Sequence, residues 1–595
     1  MGAGTVAGVS TILSRDDLDF LLHEWLDVTA LTTRPAFAEH DRSTFDAVLE
    51  LAEQMATDDF APHNRAADAA EPHVIDGHVV TVAGVSEAVR AFAEAGFVGA
   101  TVPVERGGSG LPFTVGRAAL AWFQAANIGT ASYPFLTMAA VNLLLAHGTA
   151  EQIEAWVTPM MDGRFSGTMC LSEPQAGSSL ADITTRAVPA EDGSYRVTGT
   201  KMWISGGEHE LTGNIVHLVL ARIPGGAPGV KGISLIAVPR LLPDGTHNDV
   251  ALVGLNHKMG YRGTVNTLLA FGEQAADRSD GAIGWRVGDE HAGLAAMFHM
   301  MNEARVGVGM GAAALGVTGY LHALEYARTR TQGRPVAGRD VTAPMVPIAA
   351  HADVRRMLLA QKSYAEAGMA MTLYCSRLVD EKDTAPGEDE RAQAALLLDV
   401  LTPIAKSWPS QWCLVANDLA IQVYGGYGYT RDFPVEQFWR DNRLNPIHEG
   451  THGVQGIDLL GRKAVMRGGT GLELLLETMR ATATRAAGVP DLAGYAEALE
   501  TALGRIAKTT ATLHGAGDAD TTLANASVYL EAVGHVVAAW TWLEQALVIG
   551  DRPGEFADGK RAATRYFFRW ELPRTAPQFD LLDSLDTTTL DWTPA

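Results

Sequence analysis

Apolar residues recur at helical spacing through the first 160 or so residues of the chain. In 20–26, 45–55 and 85–97 they stand three or four positions apart, as on one face of an amphipathic helix. The pattern is interrupted at 107–110 and at 148–149, where glycine, serine and threonine mark turns. The sequence therefore predicts an N-terminal helical domain over residues 1–164.

From 165 to 285 the hydrophobic pattern changes to short runs rich in β-branched residues and bounded by glycine or proline. Asp192-Gly193 joins two runs with the composition of strands, as a hairpin turn would. Further runs of the same kind occupy 215–221, 232–238, 250–255 and 264–271. This segment predicts a middle domain over 165–285 that folds as an antiparallel β-barrel or sandwich.

Helical periodicity returns near residue 294 in long segments, at 295–328, 354–379, 390–417 and 419–424. They predict a C-terminal helical bundle over 286–467. A glycine-rich joint then leads into a helical block at 470–570, whereas the tail from Pro577 shows little pattern, and together they form a predicted extension over 468–595.

Strands grouped between helical blocks predict an α+β fold, because a Rossmann domain would alternate strand and helix. Gly309, Gly311 and Ala314 superficially fit a dinucleotide fingerprint, but they follow a helical stretch where a strand is needed. We interpret these small residues as sites of close helix packing.

Composition and net charge exclude some classes of function. The 595 residues are 47% hydrophobic, which is ample for large cores. A net charge of −23 argues against a nucleic-acid partner, which requires clustered Lys and Arg, although one local basic patch could still bind a small phosphorylated ligand. The most apolar helix, 532–549, contains His535, Glu544 and Gln545, so we expect a core helix and no membrane span.

The cysteines predict a location. Cys170, Cys375 and Cys413 lie far apart and form no C-x-x-C pair. Free, mostly buried thiols without a disulfide framework are typical of a reducing compartment. The N-terminus shows no basic region followed by an apolar stretch, so no secretory signal is evident. The sequence predicts a cytoplasmic protein.

The segment 445–452 has two incompatible interpretations. His448-Glu449-x-x-His452 matches a zinc-hydrolase pattern, which needs both histidines on one face of a helix. Pro446 disfavours helix at the preceding residue, and Gly450 costs about 1 kcal/mol of helix propensity relative to alanine. We therefore predict a loop that leads into a helix beginning near His452, and no metal site.

Five motifs, in order, resemble those of the acyl-CoA dehydrogenase family over roughly 45–467. They are Cys170-Leu-Ser-Glu-Pro-Gln-Ala-Gly-Ser178, Lys201-Met-Trp-Ile-Ser205, Asn302-Glu-Ala-Arg305, Gln422-Val-Tyr-Gly-Gly426 with Arg440-Asp441, and His448-Glu-Gly-Thr451. The C-terminal extension and the phrase at 297–305 are similar to a large bacterial subgroup. That subgroup includes 3-methylthiopropanoyl-CoA dehydrogenases and broad-range fatty acyl-CoA dehydrogenases.

The resemblance implies desaturation of an acyl-CoA thioester with FAD as cofactor and an electron-transfer flavoprotein as electron acceptor. The base must be a carboxylate in a dry cleft, where desolvation raises its pKa. The family motif places that role on Glu449, although a lone loop glutamate would ordinarily be a solvated residue. Gly450 would let the backbone approach the thioester, and His448, which replaces the commoner aromatic residue, would pack or tune polarity.

The resemblance also implies a cofactor site and a substrate site. Trp203 would lie beside the flavin ring, whereas a lone tryptophan in a strand is more often a core residue; Arg330 would meet the flavin diphosphate, whereas a lone arginine is often on the surface. Flavin-binding positions are Met169, Leu171, Ser172, Gly177, Ser178, Trp203, Ile204, Ser205, Arg330, Gln422, Gly425, Gly426, Thr451 and Gly453. Substrate-binding positions are Ser178, Asn302, Arg305 and Gly450.

Gln422 to Gly426 would hold the flavin of a neighbouring subunit, so the family pattern implies a homodimer. We expect the C-terminal extension to have a structural role, in which it covers other helices. Asn302 stands where the family usually has an aspartate that contacts the substrate, so we expect this contact to be altered. An acyl-CoA oxidase, which passes electrons directly to oxygen, shares these motifs and stays an alternative. A DNA-associated flavoprotein is a second alternative that the acidic net charge disfavours.

Overall fold

The computed structural model describes residues 10–273, 280–335 and 342–594. The chain forms two compact units. The first comprises Met1–Ser43, Phe113–Ala121 and Arg305–Ala595, and the second comprises Thr44–Pro112 and Trp122–Ala304.

The N-terminal part of the chain is helical to residue 161, as predicted. Its helices are α1 (Arg15–Asp19), α2 (Arg42–Met55), α3 (Asn64–Ala69), α4 (Ala83–Glu94), α5 (Phe113–His147), α6 (Ala150–Gln152) and α7 (Thr158–Met161). The helical pattern missed one hairpin, formed by β1 (His73–Ile75) and β2 (His78–Val80). Its turn is Asp76-Gly77, with both φ angles positive, and such an Asp-Gly pair was the overlooked signal.

The middle segment forms an eight-stranded sheet. Its strands are β3 (Phe165–Cys170), β4 (Arg186–Pro189), β5 (Tyr195–Ser205), β6 (Asn214–Arg222), β7 (Ile233–Pro239), β8 (Val250–Leu255), β9 (Asn266–Phe271) and β10 (Ala282–Val287). Neighbours follow the order β10-β7-β6-β4-β5-β9-β8, and β10 also pairs with β5, which closes a barrel. The predicted barrel is confirmed.

Most pairings in this barrel are antiparallel, but β3 runs parallel to β6 over six residue pairs, and β4 pairs with β6 in parallel at Arg186 and Arg222. Hydrophobic alternation reports which face of a strand is buried and not the direction of its neighbour, so the sequence pattern could not reveal these exceptions. Val197, Val219, Ile236, Leu269 and Phe271 point into the barrel core and are buried.

The third segment consists of long helices. They are α8 (Gly293–Thr329), α9 (Ala352–Thr384), α10 (Glu388–Tyr424), α11 (Val435–Asn442) and α12 (His452–Asp458). The two runs predicted at 390–417 and 419–424 form one continuous helix. A Cβ added to Gly309 would lie 1.9 Å from the carbonyl oxygen of Ala405, so α8 and α10 approach closely where the small residues occur.

The extension is helical as far as Asp591 and shares a core with the bundle. Its helices are α13 (Thr470–Ala487), α14 (Ala493–Gly515), α15 (Ala519–Leu523), α16 (Ala526–Ile549), α17 (Glu555–Tyr566), α18 (Thr575–Asp583) and α19 (Thr588–Asp591). Helix also continues past Pro577, where the sequence shows little pattern. α18 buries Phe579 and Leu582 in the shared core, and two apolar positions in a short helix were too few to show periodicity.

A buried ionic cluster also joins the extension to the rest of the first unit. Lys560 on α17 bonds Asp17, Glu366 and Gln545, with Nζ 2.9 Å from Glu366 Oε2 and 2.8 Å from Gln545 Oε1. Removing one member of such a cluster leaves an uncompensated buried charge. The extension is therefore an integral part of the first unit.

Three helices in the described residues are long and apolar enough to cross a membrane by length and composition, namely α5, α8 and α16. In α16, which contains the predicted core helix 532–549, 89% of the most apolar window is buried inside the protein. That burial is typical of a core helix, and the absence of a membrane span stays a prediction.

Candidate active site

Glu449 lies in an irregular turn and not in a helix. Its φ is +54° and that of Gly450 is +96°, and α12 begins only at His452, as the loop interpretation predicted. His448 and His452 therefore do not share a helical face, which the zinc-hydrolase pattern requires. A left-handed non-glycine residue is uncommon and marks a backbone that its surroundings hold in place.

The carboxylate of Glu449 is poorly solvated. Its Oε2 atom is buried and has no hydrogen-bond partner among the residues that the structure describes. Burial raises the pKa of Glu449, and the positive charges of Arg305 and Lys406 act in the opposite direction. A carboxylate with a raised pKa and a vacant acceptor atom is suited to take a proton from a weak carbon acid.

Lys406, on α10, contacts the turn of Glu449 and was missed by motif reasoning. Its buried ammonium donates to the carbonyl oxygen of Asn445 at 2.9 Å and to that of Gly450 at 2.5 Å. Burial lowers the pKa of Lys406 to about 7, although the nearby charge of Glu449 raises it. The signal in the sequence was a single lysine at position 406, within the mostly apolar stretch 400–408.

Gln455, on α12, holds the same turn from the other side. Its Nε2 donates to the carbonyl oxygen of Glu449 at 3.0 Å. A Cβ added to Gly450 would lie 2.4 Å from that nitrogen. The positive φ favours glycine at 450, and an added Cβ would displace Gln455 Nε2 from its bond to the carbonyl of Glu449.

A chain of buried asparagines orients His448. Asn417 receives a bond from Asn442 at 2.7 Å, Asn442 receives one from Asn445 at 2.9 Å, and Asn445 Oδ1 lies 3.0 Å from His448 Nε2. Since that amide oxygen can only accept, His448 Nε2 carries the proton. Burial lowers the pKa of His448 to about 3, so the ring is neutral. His448 is fixed by polar bonds and not only by packing.

Arg305, the predicted substrate residue on α8, is buried and faces Asp458, with Nη1 3.4 Å from Oδ2. Asp458 also accepts a bond from Arg462 at 2.7 Å. The structure therefore brings Arg305 into the electrostatic surroundings of Glu449. Asn302 precedes it on α8 and is half-buried.

In the second unit, a buried ion pair organises the loop after β3. Lys201 Nζ lies 3.0 Å from Glu173 Oε1 and donates to the carbonyl oxygen of Leu171 at 2.9 Å. Glu173 also accepts bonds from the backbone and hydroxyl groups of Thr184 and Thr185. Met202 N–H donates to the carbonyl oxygen of Ser172, which ties the loop to β5.

Trp203 projects from a β-bulge. The pairing of β5 with β9 shifts register between Lys201 and Ile204, and Trp203 adopts φ +66° there with 59% of its surface exposed. This exposure excludes the interpretation of Trp203 as a core residue. Ile204 is buried, and Ser205 Oγ accepts a bond from Asn266 at 3.1 Å.

The predicted flavin residues of the 169–178 segment differ in exposure. Met169 is buried, Leu171 and Ser172 are half-buried, and Gly177 and Ser178 are exposed. A Cβ added to Gly177 would meet no heavy atom within 4 Å. An exposed aromatic ring and an open glycine turn in the second unit fit the binding of a planar, phosphorylated cofactor.

A separate cleft in the first unit collects other predicted flavin residues. It has a volume of about 690 Å³ and is lined by Arg330, Tyr326, Gly425, Gly426, Tyr427 and others. Arg330 is half-buried and donates to the carbonyl oxygen of Thr331 and to Gln332 Oε1. Cβ atoms at Gly425 and Gly426 would meet nothing within 4 Å. A cationic side chain beside open glycine backbone fits a diphosphate.

The remaining predicted flavin residues, Gln422, Thr451 and Gly453, belong to the first unit. Gln422 is exposed on the last turn of α10 and does not line the cleft. Thr451 is the half-buried residue that precedes α12, and Gly453 is exposed on its first turn.

Family models match nearly the whole chain. The N-terminal domain of acyl-CoA dehydrogenase matches residues 43–164, the middle domain 168–273 and the C-terminal domain 291–464. The extension matches an acetyl-CoA dehydrogenase C-terminal like model over 475–593. The chain belongs to the acyl-CoA dehydrogenase family, and it is an enzyme of that family.

Two curated relatives agree with the predicted subgroup. The 3-methylmercaptopropionyl-CoA dehydrogenase of Ruegeria pomeroyi is 38% identical over 466 residues, which cover 78% of this chain and 77% of the relative. The broad-specificity linear acyl-CoA dehydrogenase FadE5 of Mycobacterium tuberculosis is 32% identical and covers 96% of this chain and 94% of its own length.

Solved structures confirm the fold. The Caenorhabditis elegans protein ACDH-11, in complex with C11-CoA, superposes with a TM-score of 0.73 at 18% identity and covers 99% of this chain and 98% of that one. An acyl-CoA dehydrogenase from Bacillus anthracis, complexed with FAD, gives 0.72 at 18% identity, covering 98% and 92%. Both comparisons extend over the C-terminal helices.

Proposed function

We propose that this acyl-CoA dehydrogenase introduces an α,β double bond into an acyl-CoA thioester and that Glu449 removes the α-proton. The observation that carries the proposal is the buried Oε2 of Glu449, which has no hydrogen-bond partner among the described residues and belongs to a carboxyl of raised pKa. Such an oxygen can receive a proton without first losing a protein contact. FAD, when bound, supplies the acceptor for the hydride that leaves the β-carbon.

The other residues of the turn prepare the base. Gly450 gives the thioester close access to the backbone, and the N–H of Glu449 is the group we assign to the thioester carbonyl, as the family resemblance implies. Arg305, which is buried beside Asp458, supplies positive charge near the carboxylate and the substrate. His448 stays neutral and contributes position and polarity, not proton transfer.

We propose that FAD is bound by the exposed Trp203, by Ser205 and by the open turn at Gly177 and Ser178. The side chain of Trp203 offers a flat apolar face, and Ser205 offers a hydroxyl. Met169, Leu171, Ser172 and Ile204 would form the backbone and apolar wall of that site. The residues that would contact FAD from the turn after Glu449 are Thr451 and Gly453.

We further propose a homodimer in which the cleft beside Arg330, Gly425 and Gly426 receives the diphosphate end of a neighbouring subunit's FAD, and in which Gln422, on the last turn of α10, also contacts that FAD. An exposed glycine backbone next to an arginine supports this assignment. Mass measurement with FAD quantification tests it: a dimer with one FAD per protomer is expected, and monomers that retain FAD would contradict it.

We assign the electron acceptor as an electron-transfer flavoprotein, in keeping with the family. The cytoplasm, a reducing compartment, suits the three cysteines, which are free and buried. The functional domains that we propose are 1–164, 165–285, 286–467 and 468–595.

The test is anaerobic titration of the FAD-loaded protein with a panel of acyl-CoA thioesters, read as bleaching of flavin absorbance. We expect the wild type to bleach and Glu449→Gln to keep its flavin and bind ligand while bleaching slows by about 10²–10⁴-fold. Near-normal bleaching by the variant would remove Glu449 from this role. Rapid oxygen consumption on re-aeration with substrate would instead favour an oxidase.

A further inference from the structure

The ammonium of Lys406 sits inside the first unit, where an apolar side chain would fill the space at lower electrostatic cost. Taking a charge out of water is costly even after relaxation, and only good partners offset that cost. The partners here are two backbone carbonyls, those of Asn445 and Gly450, at 2.9 and 2.5 Å. These carbonyls lie on either side of Glu449 in the sequence.

The two bonds act on a backbone that would not keep its conformation unaided. Glu449 has a φ of +54°, which is costly for a residue with a Cβ. Gln455 holds the carbonyl of Glu449 itself at 3.0 Å, while Lys406 holds the carbonyls of Asn445 and Gly450. Three bonded carbonyls, at positions 445, 449 and 450, therefore fix the backbone that carries the carboxylate of Glu449.

We propose that Lys406 is a positioning residue of the dehydrogenation reaction, which holds Glu449 in its left-handed turn through the carbonyls of Asn445 and Gly450. The proposal rests on the proposed role of Glu449 as the base. Lys406 touches neither substrate nor cofactor in this role; it fixes the place of the group that does, and its charge lowers the affinity of that group for a proton.

The charges around Lys406 come from several elements. Arg305 reaches it from α8, Glu449 and His448 from the turn, and His452 from the start of α12. Burial lowers the pKa of His448 to about 3 and of His452 to about 4, so both rings are neutral at working pH. Removing the Lys406 cation leaves Arg305 as the positive charge acting on Glu449.

The first readout is independent of activity. Amide hydrogen exchange of the holoenzyme is followed in peptides that span 445–452, in wild type, Lys406→Met and Lys463→Met. Lys463 is a matched control, because it is buried in the same unit and bonds Asp399 at 2.7 Å, away from the turn. We expect faster exchange at 445–452 in Lys406→Met alone. If Lys406→Met exchanged its amides at 445–452 as slowly as the wild type does, the proposal would be overturned.

The second readout is the rate constant of flavin reduction under anaerobic single-turnover conditions. We expect Lys406→Met to lower it by about 10²-fold, as a displaced reacting group would, with a much smaller change in the substrate dissociation constant. In this variant the acid limb of the pH profile of flavin reduction should move to higher pH, since the cation that lowers the pKa of Glu449 is gone. A lysine whose charge does not act on Glu449 would leave that limb in place.

A charge-preserving variant completes the test. Lys406→Arg keeps the cation but cannot place its planar fork as the ammonium does, so we expect a reduced rate with the acid limb near its wild-type position. An acid limb that moves as far as in Lys406→Met would overturn the electrostatic part of the proposal. Glu449→Gln separates the two hypotheses: normal flavin reduction in that variant refutes the proposed base, whereas its loss beside normal Lys406 variants refutes only the positioning role.

Discussion

Lys201 and Glu173 form an ion pair in which both side chains are buried, with 3.0 Å between Nζ and Oε1. The pair joins β5 to the loop after β3, and the same ammonium also holds the carbonyl of Leu171. Two segments that the family resemblance assigns to the flavin are thus fixed to each other by one internal charge pair.

We predict that Lys201→Met destabilises the protein by about 3–5 kcal/mol, because it leaves Glu173 as a buried carboxylate without its cation. The free energy of unfolding from urea titrations measures this change. The double variant Lys201→Met with Glu173→Gln should recover part of the loss. If the single and double variants are equally unstable, packing and not charge is the cause.

The same pair predicts a response to acid. Burial opposes ionisation of Glu173, but Lys201 and the bonds from Thr185 and Thr184 outweigh it and lower its pKa to about 2. The usual glutamate pKa is about 4.3, so the stabilisation is present above that pH and is lost as pH falls towards 2. Urea titrations between pH 5 and 2 should show a steeper loss for wild type than for Glu173→Gln.

We predict that a substitution at Trp203 weakens FAD binding without a matching loss of folding stability. Glycine at 203 would relieve a left-handed strain of about 1–2 kcal/mol and would cost roughly 0.5–1 kcal/mol of unfolded-state entropy. We therefore expect Trp203→Gly to leave the stability of the FAD-free protein nearly unchanged while FAD binds more weakly. Urea titration and FAD dissociation measured by flavin fluorescence test the two halves. A large loss of stability would show that the ring is structurally required.

We predict that the turn beside the base depends on glycine at position 450. An added Cβ would lie 2.4 Å from Gln455 Nε2, at a φ of +96°. We expect Gly450→Ala to displace the turn and to lower the rate constant of flavin reduction by about 10²-fold. Gly504→Ala is the control, since Gly504 is exposed within α14 with open space around it, and that change should stabilise by about 0.5–1 kcal/mol. Unchanged flavin reduction in Gly450→Ala would contradict the requirement.

Asp380 predicts a pH dependence of opposite sign to that of Glu173. It caps α5 by accepting bonds from the N–H groups of Phe113 and Thr114 at 2.7 and 3.0 Å. Burial raises its pKa to about 6, although these bonds lower it. Its contribution to stability is therefore fully present below about pH 4 and is lost as pH rises to 6.

The full interval corresponds to roughly 3 kcal/mol. We expect the stability of wild type relative to Asp380→Asn to fall over that range, as measured by urea titration at intermediate pH values. A difference between the two proteins that does not change with pH would show that Asp380 keeps one protonation state throughout.

The sequence determined the order of the domains and the type of nearly every long element. Helices that bury one side repeat their apolar residues with a period near 3.6, and barrel strands show short β-branched runs, so local pattern carried this information. The hairpin at His73–Val80 and helix α18 were missed because each is too short to show a period. The parallel pairing of β3 with β6 was missed because alternation does not encode strand direction.

The sequence also located the turn at Glu449, because proline and glycine restrict the backbone locally at 446 and 450. The tertiary structure alone decided what surrounds that turn. Lys406, Asn442, Gln455 and Asp458 come from three different helices, and their bonds to the turn or to Arg305 join residues far apart in the chain. Hydrogen bonds and burial depend on distance in space, which residue spacing along a chain does not specify, so the environment that sets the pKa of Glu449 appeared only once the helices were packed.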